Sequence, residues 1–164
     1  MIVIALGANL DSQVGPPAKT IRAAWKALST LNIQVVSASR LYRTPAWPDP
    51  SQPPFVNAVV CVETELSPRA LMDVLHNVET AFGRERTAKN APRTLDLDLI
   101  DYHGRVENGP PSLPHPRMAE RAVVLIPMAD VVPGWRHPQT GASLADIIAA
   151  LPDKERAAVM ALPD

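Results

Sequence analysis

The chain has 164 residues, a length typical of one domain with a sizeable core. Its hydrophobic fraction of 46%, charged fraction of 20% and net charge of -1 exclude the strong basic field that drives nucleic-acid or membrane binding. The single cysteine, Cys61, excludes an intrachain disulfide and fits a reducing compartment, and the N-terminus has no signal-peptide pattern, so we expect a cytoplasmic protein.

Strand and helix patterns alternate along the first part of the chain. Residues 2–8 predict a strand, and a helix follows Pro16 and Pro17. Residues 33–43 predict a second strand, and residues 55–63 predict a third after a proline-rich loop. The apolar positions that give the helix its spacing are Ile21, Ala24, Trp25, Leu28 and Leu31.

A second helix and a fourth strand complete the regular part. Ser67 is a predicted N-cap, Pro68 suits the first helical position, and Gly83 suits the C-terminal stop. Residues 95–102 predict the fourth strand. The order β-α-β-β-α-β predicts an α+β protein with a ferredoxin-like core, forming one domain over residues 1–164.

Extra strands and helices are expected after this core. A proline-rich segment, residues 110–117, precedes an apolar run at 122–128. A last helix is predicted after Ser143, with Asp146 completing a capping pattern. From Asp153 onward the sequence is charged, which predicts a frayed tail.

Two aspartates share one face of the fourth predicted strand. Alternation sends its leucines to one face and Asp96 and Asp98 to the other, roughly 7 Å apart at Cα. Two like charges on a strand face repel, so a cation should offset them. Mg²⁺ and a nearby arginine are both candidates, since hard cations favour carboxylate ligands. The alternative is a half-exposed strand with an acidic outer face.

Basic residues precede the acidic strand, and no glycine-rich phosphate-binding motif occurs in the sequence. The cations are Arg84, Arg86, Lys89 and Arg93. Arginine forks match phosphate oxygens, so arginines beside a two-carboxylate metal platform are typical of phosphoryl transfer. By themselves these residues would indicate only a solvated basic loop.

Two further segments carry binding chemistry. Trp47 and Phe55 flank a stiff loop near Asn57, an arrangement suited to a flat heterocycle stacked on rings and hydrogen-bonded to an amide. Equally, Trp47 could anchor the loop while Phe55 packs in the core. His115 lies between two prolines and is followed by arginines, so it could bind a polyphosphate, or it could simply be a solvated loop residue. The four histidines of the chain lack the spacing of metal ligands.

Five short motifs in order carry a resemblance to a known family. They are PRTLDLD at 92–98, YRTP at 42–45, QPxFxN at 52–57, GRxR at 83–86 and LPHPRM at 113–118. Together they resemble the 6-hydroxymethyl-7,8-dihydropterin pyrophosphokinases of folate biosynthesis. The resemblance runs from residue 5 to about residue 151. It implies Mg²⁺-dependent transfer of pyrophosphate from ATP to the hydroxymethyl oxygen of the pterin, with release of AMP.

The resemblance also implies a role for individual residues. Two Mg²⁺ ions would be held by Asp96 and Asp98, and the transferring group would be stabilised by Arg84 and Arg93. The residues expected near the nucleotide are Glu79, Arg86, Ser112, His115 and Arg121. The residues expected to line the pterin pocket are Thr44, Pro45, Trp47, Phe55 and Asn57. No general base is named, because the reaction needs positioning and charge neutralisation more than a strong base.

Two other classes of protein compete with this reading. The same topology occurs in RNA-recognition modules, but those need aromatic residues on the central strands and a basic face. A relative that binds its ligands without catalysis is the second alternative. It rests on Val123, which stands where relatives often carry an aromatic residue, and on the absence of tryptophan between Arg86 and Pro92. We expect a monomer without nucleic-acid or membrane partners.

Overall fold

A computed structural model describes residues 1–85 and 88–164 of the chain. The strands, in chain order, are β1 Ile2–Ala8, β2 Gln34–Ala38, β3 Tyr42–Thr44, β4 Phe55–Glu63, β5 Asp96–Tyr102, β6 Glu107–Asn108, β7 Ser112–Leu113 and β8 Met160–Ala161. The helices are α1 Pro17–Ser29, α2 Pro68–Ala81, α3 Ala122–Val131, α4 Leu144–Ala150 and α5 Asp153–Ala157, with a short 3₁₀ turn at Met118–Glu120. In the described ranges, no helix combines the length and the apolar character needed to cross a bilayer.

An antiparallel sheet organises the molecule. Its strand order is β5-β1-β4-β3-β8, and β2 pairs with the other half of the long strand β4. The β1 strand lies between β4 and β5, and all seven of its residues are buried. Because α1 and α2 each follow a strand and return to the same sheet, the topology is the predicted ferredoxin-like arrangement, which is thereby confirmed.

Helices cover both faces of the sheet. The face toward α1 and α2 is closed by an apolar cluster that includes Ile2, Ile4, Leu6, Ile21, Leu28, Leu71, Leu75, Leu95 and Leu97. The opposite face is covered by α3 and α4, and its cluster includes Val3, Val59, Ile100, Leu125, Met128 and Trp135. Each fully buried leucine contributes about 1.5–3 kcal/mol to folding. Leu97 and Leu99 of β5 pack in the first cluster, and this packing holds the strand that carries Asp96 and Asp98.

Local capping signals were predicted correctly from the sequence. The Ser67 hydroxyl accepts a hydrogen bond from the Ala70 amide at 3.2 Å, and α2 begins at the next residue, Pro68. Gly83 lies just beyond the end of α2 with φ of +84°, a conformation that suits glycine. Ser143 caps α4 in the same manner, accepting from the Asp146 amide at 3.2 Å.

The structure corrects the predicted strand over residues 33–43. It divides at Ser39 into β2 and β3, which pair with different halves of β4. The Ser39 hydroxyl accepts from the Val59 amide at 2.9 Å, and its own amide donates to the Val59 carbonyl at 2.9 Å. These two hydrogen bonds satisfy the backbone at the break, so the division carries little cost.

The prediction of a frayed tail from Asp153 was also wrong. Residues 153–157 form α5, and β8 adds to the edge of the sheet beside β3. The Leu162 amide donates to the Leu41 carbonyl at 2.8 Å, which extends this pairing. A strand partner about 120 positions away in sequence cannot be read from local composition, and that partner is what orders the tail.

Candidate functional site

The candidate site lies at the end of β5, on the face that carries its two aspartates. The register places Asp96 beside Gly7 and Asp98 beside Ala5 of β1. Both β1 residues are small, so the neighbouring strand leaves room over the sheet next to the carboxylates. On the other face, Leu95, Leu97 and Leu99 enter the core, which confirms the predicted alternation.

Asp96 is held by two arginines from the segment between α2 and β5. Arg84 donates from Nη1 to Asp96 Oδ1 at 2.7 Å, and Arg93 donates from Nη1 to Asp96 Oδ2 at 3.1 Å. Arg84 also forms an ion pair with Glu79, whose side chain is only 2% exposed. Charge-assisted hydrogen bonds shielded from water are stronger than neutral ones, so this network fixes both guanidinium groups.

Asp98 is in a different electrostatic environment. Burial, together with the charge of Asp96, raises the pKa of Asp98 from 3.8 to about 6, although Arg121, Arg84 and Arg93 partly oppose this. Among the described residues, no side chain forms a hydrogen bond or an ion pair with the Asp98 carboxylate. A shielded carboxylate beside a second carboxylate is a group whose charge a bound cation would stabilise.

The donor set fits a metal that is shared with a ligand better than a metal enclosed by protein. Within the described ranges, no group of three or more His, Cys, Asp or Glu side chains could enclose an ion. Mg²⁺ typically takes one or two carboxylates and completes its shell with water and phosphate oxygens. Asp96 and Asp98 supply that kind of partial shell.

A row of residues crosses three strands beside the carboxylates. Asn57 of β4 faces Gly7 of β1, and Gly7 faces Asp96 of β5. Two strand spacings separate Asn57 from Asp96, which is about 10 Å. A Cβ on Gly7 would lie 3.0 Å from Asn57 Oδ1, so only glycine keeps this row open.

The amide end of this row is held in place. Asn57 Nδ2 donates to the Thr44 hydroxyl at 2.7 Å, and both side chains are buried. Phe55 lies two residues earlier on the same strand face, and the Arg93 guanidinium stands 5.8 Å from its ring centroid. The structure therefore brings Thr44, Asn57, Phe55 and Arg93 to one side of the carboxylates.

Two residues predicted for the pterin pocket and one predicted for the nucleotide are exposed. Pro45 is exposed, and Trp47 is 76% exposed and makes no ring contact with Phe55. Ser112 is an exposed residue of β7. Arg86 lies outside the described residues.

His115 and Arg121 border the carboxylates on the α3 side. The His115 amide donates to the Ile100 carbonyl at 2.9 Å, which joins its loop to β5. Burial lowers the pKa of His115, and the neighbouring Arg121 charge lowers it further. Arg121, immediately before α3, also acts on Asp98 through its charge, so His115, Arg121 and the carboxylates share one electrostatic environment.

A basic cleft of about 310 Å³ adjoins the two arginines. The described residues that line it are Arg84, Glu85, Ala88, Lys89, Asn90, Ala91, Pro92 and Arg93. Three of these side chains are cationic, so the cleft suits an anionic group next to Asp96.

Sequence reasoning assigned no role to two residues at the end of β1. Gly7 keeps the row open, and the buried Asn9 side chain accepts a hydrogen bond from the Arg93 amide at 2.8 Å. A signal was present: glycine and asparagine directly after an apolar strand commonly mark a functional turn. Their partners are 44 or more positions away in sequence, so local patterns could not assign them a role.

Comparison with known proteins identifies a matching family. The sequence profile of 7,8-dihydro-6-hydroxymethylpterin-pyrophosphokinase (HPPK) matches residues 3–133. A 2-amino-4-hydroxy-6-hydroxymethyldihydropteridine pyrophosphokinase of Synechocystis sp. is 38% identical over 148 residues, covering 89% of this chain and 73% of that protein. The enzyme of the same name from Methylorubrum extorquens is 40% identical over 127 residues, covering 76% of this chain and 80% of that protein.

Solved structures support the fold. An HPPK-DHPS crystal structure in complex with substrates superposes with a TM-score of 0.67 at 12% identity, covering 91% of this chain. The wild-type Plasmodium falciparum HPPK-DHPS gives a TM-score of 0.67 at 14% identity over 90% of this chain. This chain spans 42% and 40% of those two chains, respectively. At such identities the likeness concerns the fold alone.

Proposed function

This chain belongs to the 7,8-dihydro-6-hydroxymethylpterin-pyrophosphokinase family, and on that premise we propose that it transfers pyrophosphate from ATP to the hydroxymethyl group of 6-hydroxymethyl-7,8-dihydropterin. AMP is the second product. The relatives named as pyrophosphokinases make the chain an enzyme of the transferase class, acting in folate biosynthesis.

The observation that carries the proposal is the row from Asn57 through Gly7 to Asp96. An amide, which can donate and accept, stands at one end, and the carboxylate pair stands about 10 Å away at the other. A flat heterocycle over Gly7, hydrogen-bonded to Asn57, would direct a substituent on its far edge toward the carboxylates. This arrangement suits a hydroxymethyl pterin whose oxygen must reach a metal-bound phosphate.

We propose that Asp96 and Asp98 hold two Mg²⁺ ions together with ATP. When bound, the ions neutralise phosphate charge and orient the β-phosphorus for in-line attack. The carboxylates contribute to this site before any ligand arrives, because β1 and the leucines of β5 fix their positions. Asp98 must be ionised to bind a cation, and its raised pKa makes that requirement depend on pH.

The two arginines are proposed to act on the transferred group. In this structure both donate to Asp96, so a cation on that carboxylate would compete with them and release their guanidinium groups. Both border the basic cleft, where the freed donors can meet phosphate oxygens. Pre-positioned donors of this kind stabilise charge on the transferring pyrophosphoryl group and on the leaving AMP oxygen.

The remaining predicted residues are proposed to support the same reaction. Glu79 is proposed to orient Arg84 through their ion pair. His115 and Arg121, which border the carboxylates on the α3 side, are proposed to contact ATP. Arg86 and Ser112 stay predictions for ATP. Pro45 and Trp47 stay predictions for the pterin, on the loop next to Thr44.

Pterin-dependent AMP release tests the proposal. Wild type, Asp98→Ala and Asp73→Ala are assayed with ATP and Mg²⁺, with and without 6-hydroxymethyl-7,8-dihydropterin. Asp73 is an exposed carboxylate of α2, so its variant controls for loss of charge. We expect AMP release by wild type and Asp73→Ala only with pterin, and none by Asp98→Ala. Nucleotide binding by wild type without AMP release would favour a binding-only relative instead.

The same proposal includes the state in which the protein acts. We propose one pyrophosphokinase domain over residues 1–164, because both apolar clusters pack on a single sheet. The monomeric state and the cytoplasmic location stay predictions. Light scattering of the purified chain during gel filtration would measure its mass in solution.

A further inference from the structure

Asn9 joins two segments that meet beside the candidate site. Its side chain is buried, at 2% exposure. Oδ1 accepts from the Arg93 amide at 2.8 Å, while Nδ2 donates to the Pro53 carbonyl at 3.1 Å. Its own amide and that of Leu10 donate to the Arg93 carbonyl, at 3.0 and 3.2 Å. One amide side chain thus binds the backbone of both segments.

The two segments are the loop that precedes Phe55 and the stretch that ends at Arg93. A second bridge joins them, since Gln52 Nε2 donates to the Asn90 carbonyl at 3.3 Å. A third contact is the Arg93 guanidinium, 5.8 Å from the centroid of the Phe55 ring. The segment proposed to hold the heterocycle and the segment proposed to meet phosphate are therefore connected at three points.

We propose that Asn9 is a positioning residue that couples occupancy of the heterocycle pocket to the placement of the Arg93 guanidinium. The inference rests on the proposed function for the identity of the two ligands. Because the Arg93 backbone is bound at both its amide and its carbonyl, the backbone from which the guanidinium projects is held relative to the Pro53 segment. A ligand that orders one segment lowers the entropic cost of ordering the other, which appears as positive coupling between the two binding sites.

The substitution Asn9→Asp separates the two functions of the side chain. A carboxylate retains an oxygen that accepts from the Arg93 amide, but it replaces the Nδ2 donor with an acceptor facing the Pro53 carbonyl. The bridge to Pro53 is then lost while the Arg93 side persists. Gln52→Ala removes the second bridge at a half-buried position, where the fold depends little on the side chain.

The experiment measures this coupling by binding, independently of turnover. The Kd of 6-hydroxymethyl-7,8-dihydropterin is determined by fluorescence with and without Mg²⁺ and α,β-methylene-ATP, whose α–β bridge cannot be cleaved. The ratio of the two Kd values is the coupling factor. We expect wild type to show tighter pterin binding with the analogue. Asn9→Asp should reduce the factor about tenfold and Gln52→Ala about threefold, in line with losing one buried and one partly exposed hydrogen bond.

Turnover distinguishes positioning from general damage to the fold. Asn9→Asp should lower kcat about tenfold while the KM for ATP changes less than threefold, because the bridge positions Arg93 and does not contact the nucleotide. Asn77→Ala, at an exposed position of α2, is the matched control and should change neither kcat nor coupling.

Several outcomes overturn the inference. A coupling factor near one in the wild-type protein refutes it. It is refuted equally if both Asn9→Asp and Gln52→Ala keep the coupling factor and the kcat of wild type. If Asn9→Asp does not fold, Gln52→Ala decides alone, and unchanged coupling there refutes the inference. Wild type that binds both ligands with coupling but releases no AMP refutes the proposed activity and leaves the Asn9 inference standing.

Discussion

Replacing Asp98 by asparagine is expected to abolish pyrophosphoryl transfer while stabilising the metal-free fold. Burial and the charge of Asp96 raise the pKa of Asp98 from 3.8 to about 6. A group whose pKa is raised by folding contributes stability that is fully present below its unfolded pKa and lost as pH rises through the folded value. The ionised Asp98 therefore destabilises the metal-free protein above about pH 6.

The magnitude follows from the size of the shift. Two pH units at about 1.4 kcal/mol each correspond to roughly 3 kcal/mol. A buried asparagine amide still costs some desolvation, so we expect about 1–3 kcal/mol for Asp98→Asn. The gain should be full at pH 7.5 and fall to about a third of that value at pH 4.5, which lies between the unfolded and folded pKa values of Asp98. It should approach zero only below the unfolded pKa of 3.8.

Urea unfolding with chelator at both pH values measures this difference. Asp101→Asn is the matched control, because Asp101 is a buried residue of the same strand. Its carboxylate accepts from Trp135 Nε1 at 2.6 Å and from the Gly104 amide at 2.8 Å. An asparagine there keeps one acceptor only and should cost about 1–3 kcal/mol.

The reasoning is refuted if Asp98→Asn fails to stabilise the protein at pH 7.5. It is refuted equally if the gain is the same at pH 4.5. Adding Mg²⁺ and α,β-methylene-ATP should reverse the ranking, since only wild type keeps both carboxylates for the metal. A variant that is stabilised by these ligands as strongly as wild type would remove Asp98 from the proposed metal site.

Three other substitutions test the site and the core. Gly7→Ala should raise the KM for pterin about tenfold, because the added Cβ would lie 3.0 Å from Asn57 Oδ1. The Kd of α,β-methylene-ATP should change less than about twofold, and equal weakening of both ligands would contradict this placement of Gly7. Arg84→Lys should lower the single-turnover rate about 100-fold by removing the planar fork, and an unchanged rate would exclude Arg84 from the reaction. Leu71→Ala should lower the free energy of unfolding by about 2–5 kcal/mol without changing kcat, and a loss below about 1 kcal/mol in urea unfolding would contradict its place in the core.

Elements with strong local signals were predicted correctly. The α2 helix carries its cap and its first proline in adjacent residues, and the structure begins it at Pro68. The β5 strand carries its alternation in consecutive residues, so the opposite faces of its leucines and aspartates could be read directly. Both signals act over a few residues, and local sterics and hydrogen bonding decide them.

Errors occurred where a distant partner decides the local structure. Ser39 divides the predicted second strand because its hydroxyl and amide both bond to Val59 of β4. The tail is ordered because Met160 and Ala161 find an edge at β3. Neither partner lies within the window over which propensity acts.

The sequence by itself determined the type of chemistry available: two carboxylates on one strand face, arginines before them and an amide near aromatic residues. The tertiary structure alone decided which of these groups meet. It placed β1 between β4 and β5, so that Gly7 lies between Asn57 and Asp96, and it set Asn9 against Arg93 and the Pro53 segment. The physical reason is that antiparallel register and buried hydrogen bonds join residues far apart in sequence, whereas periodicity and capping report only on neighbours.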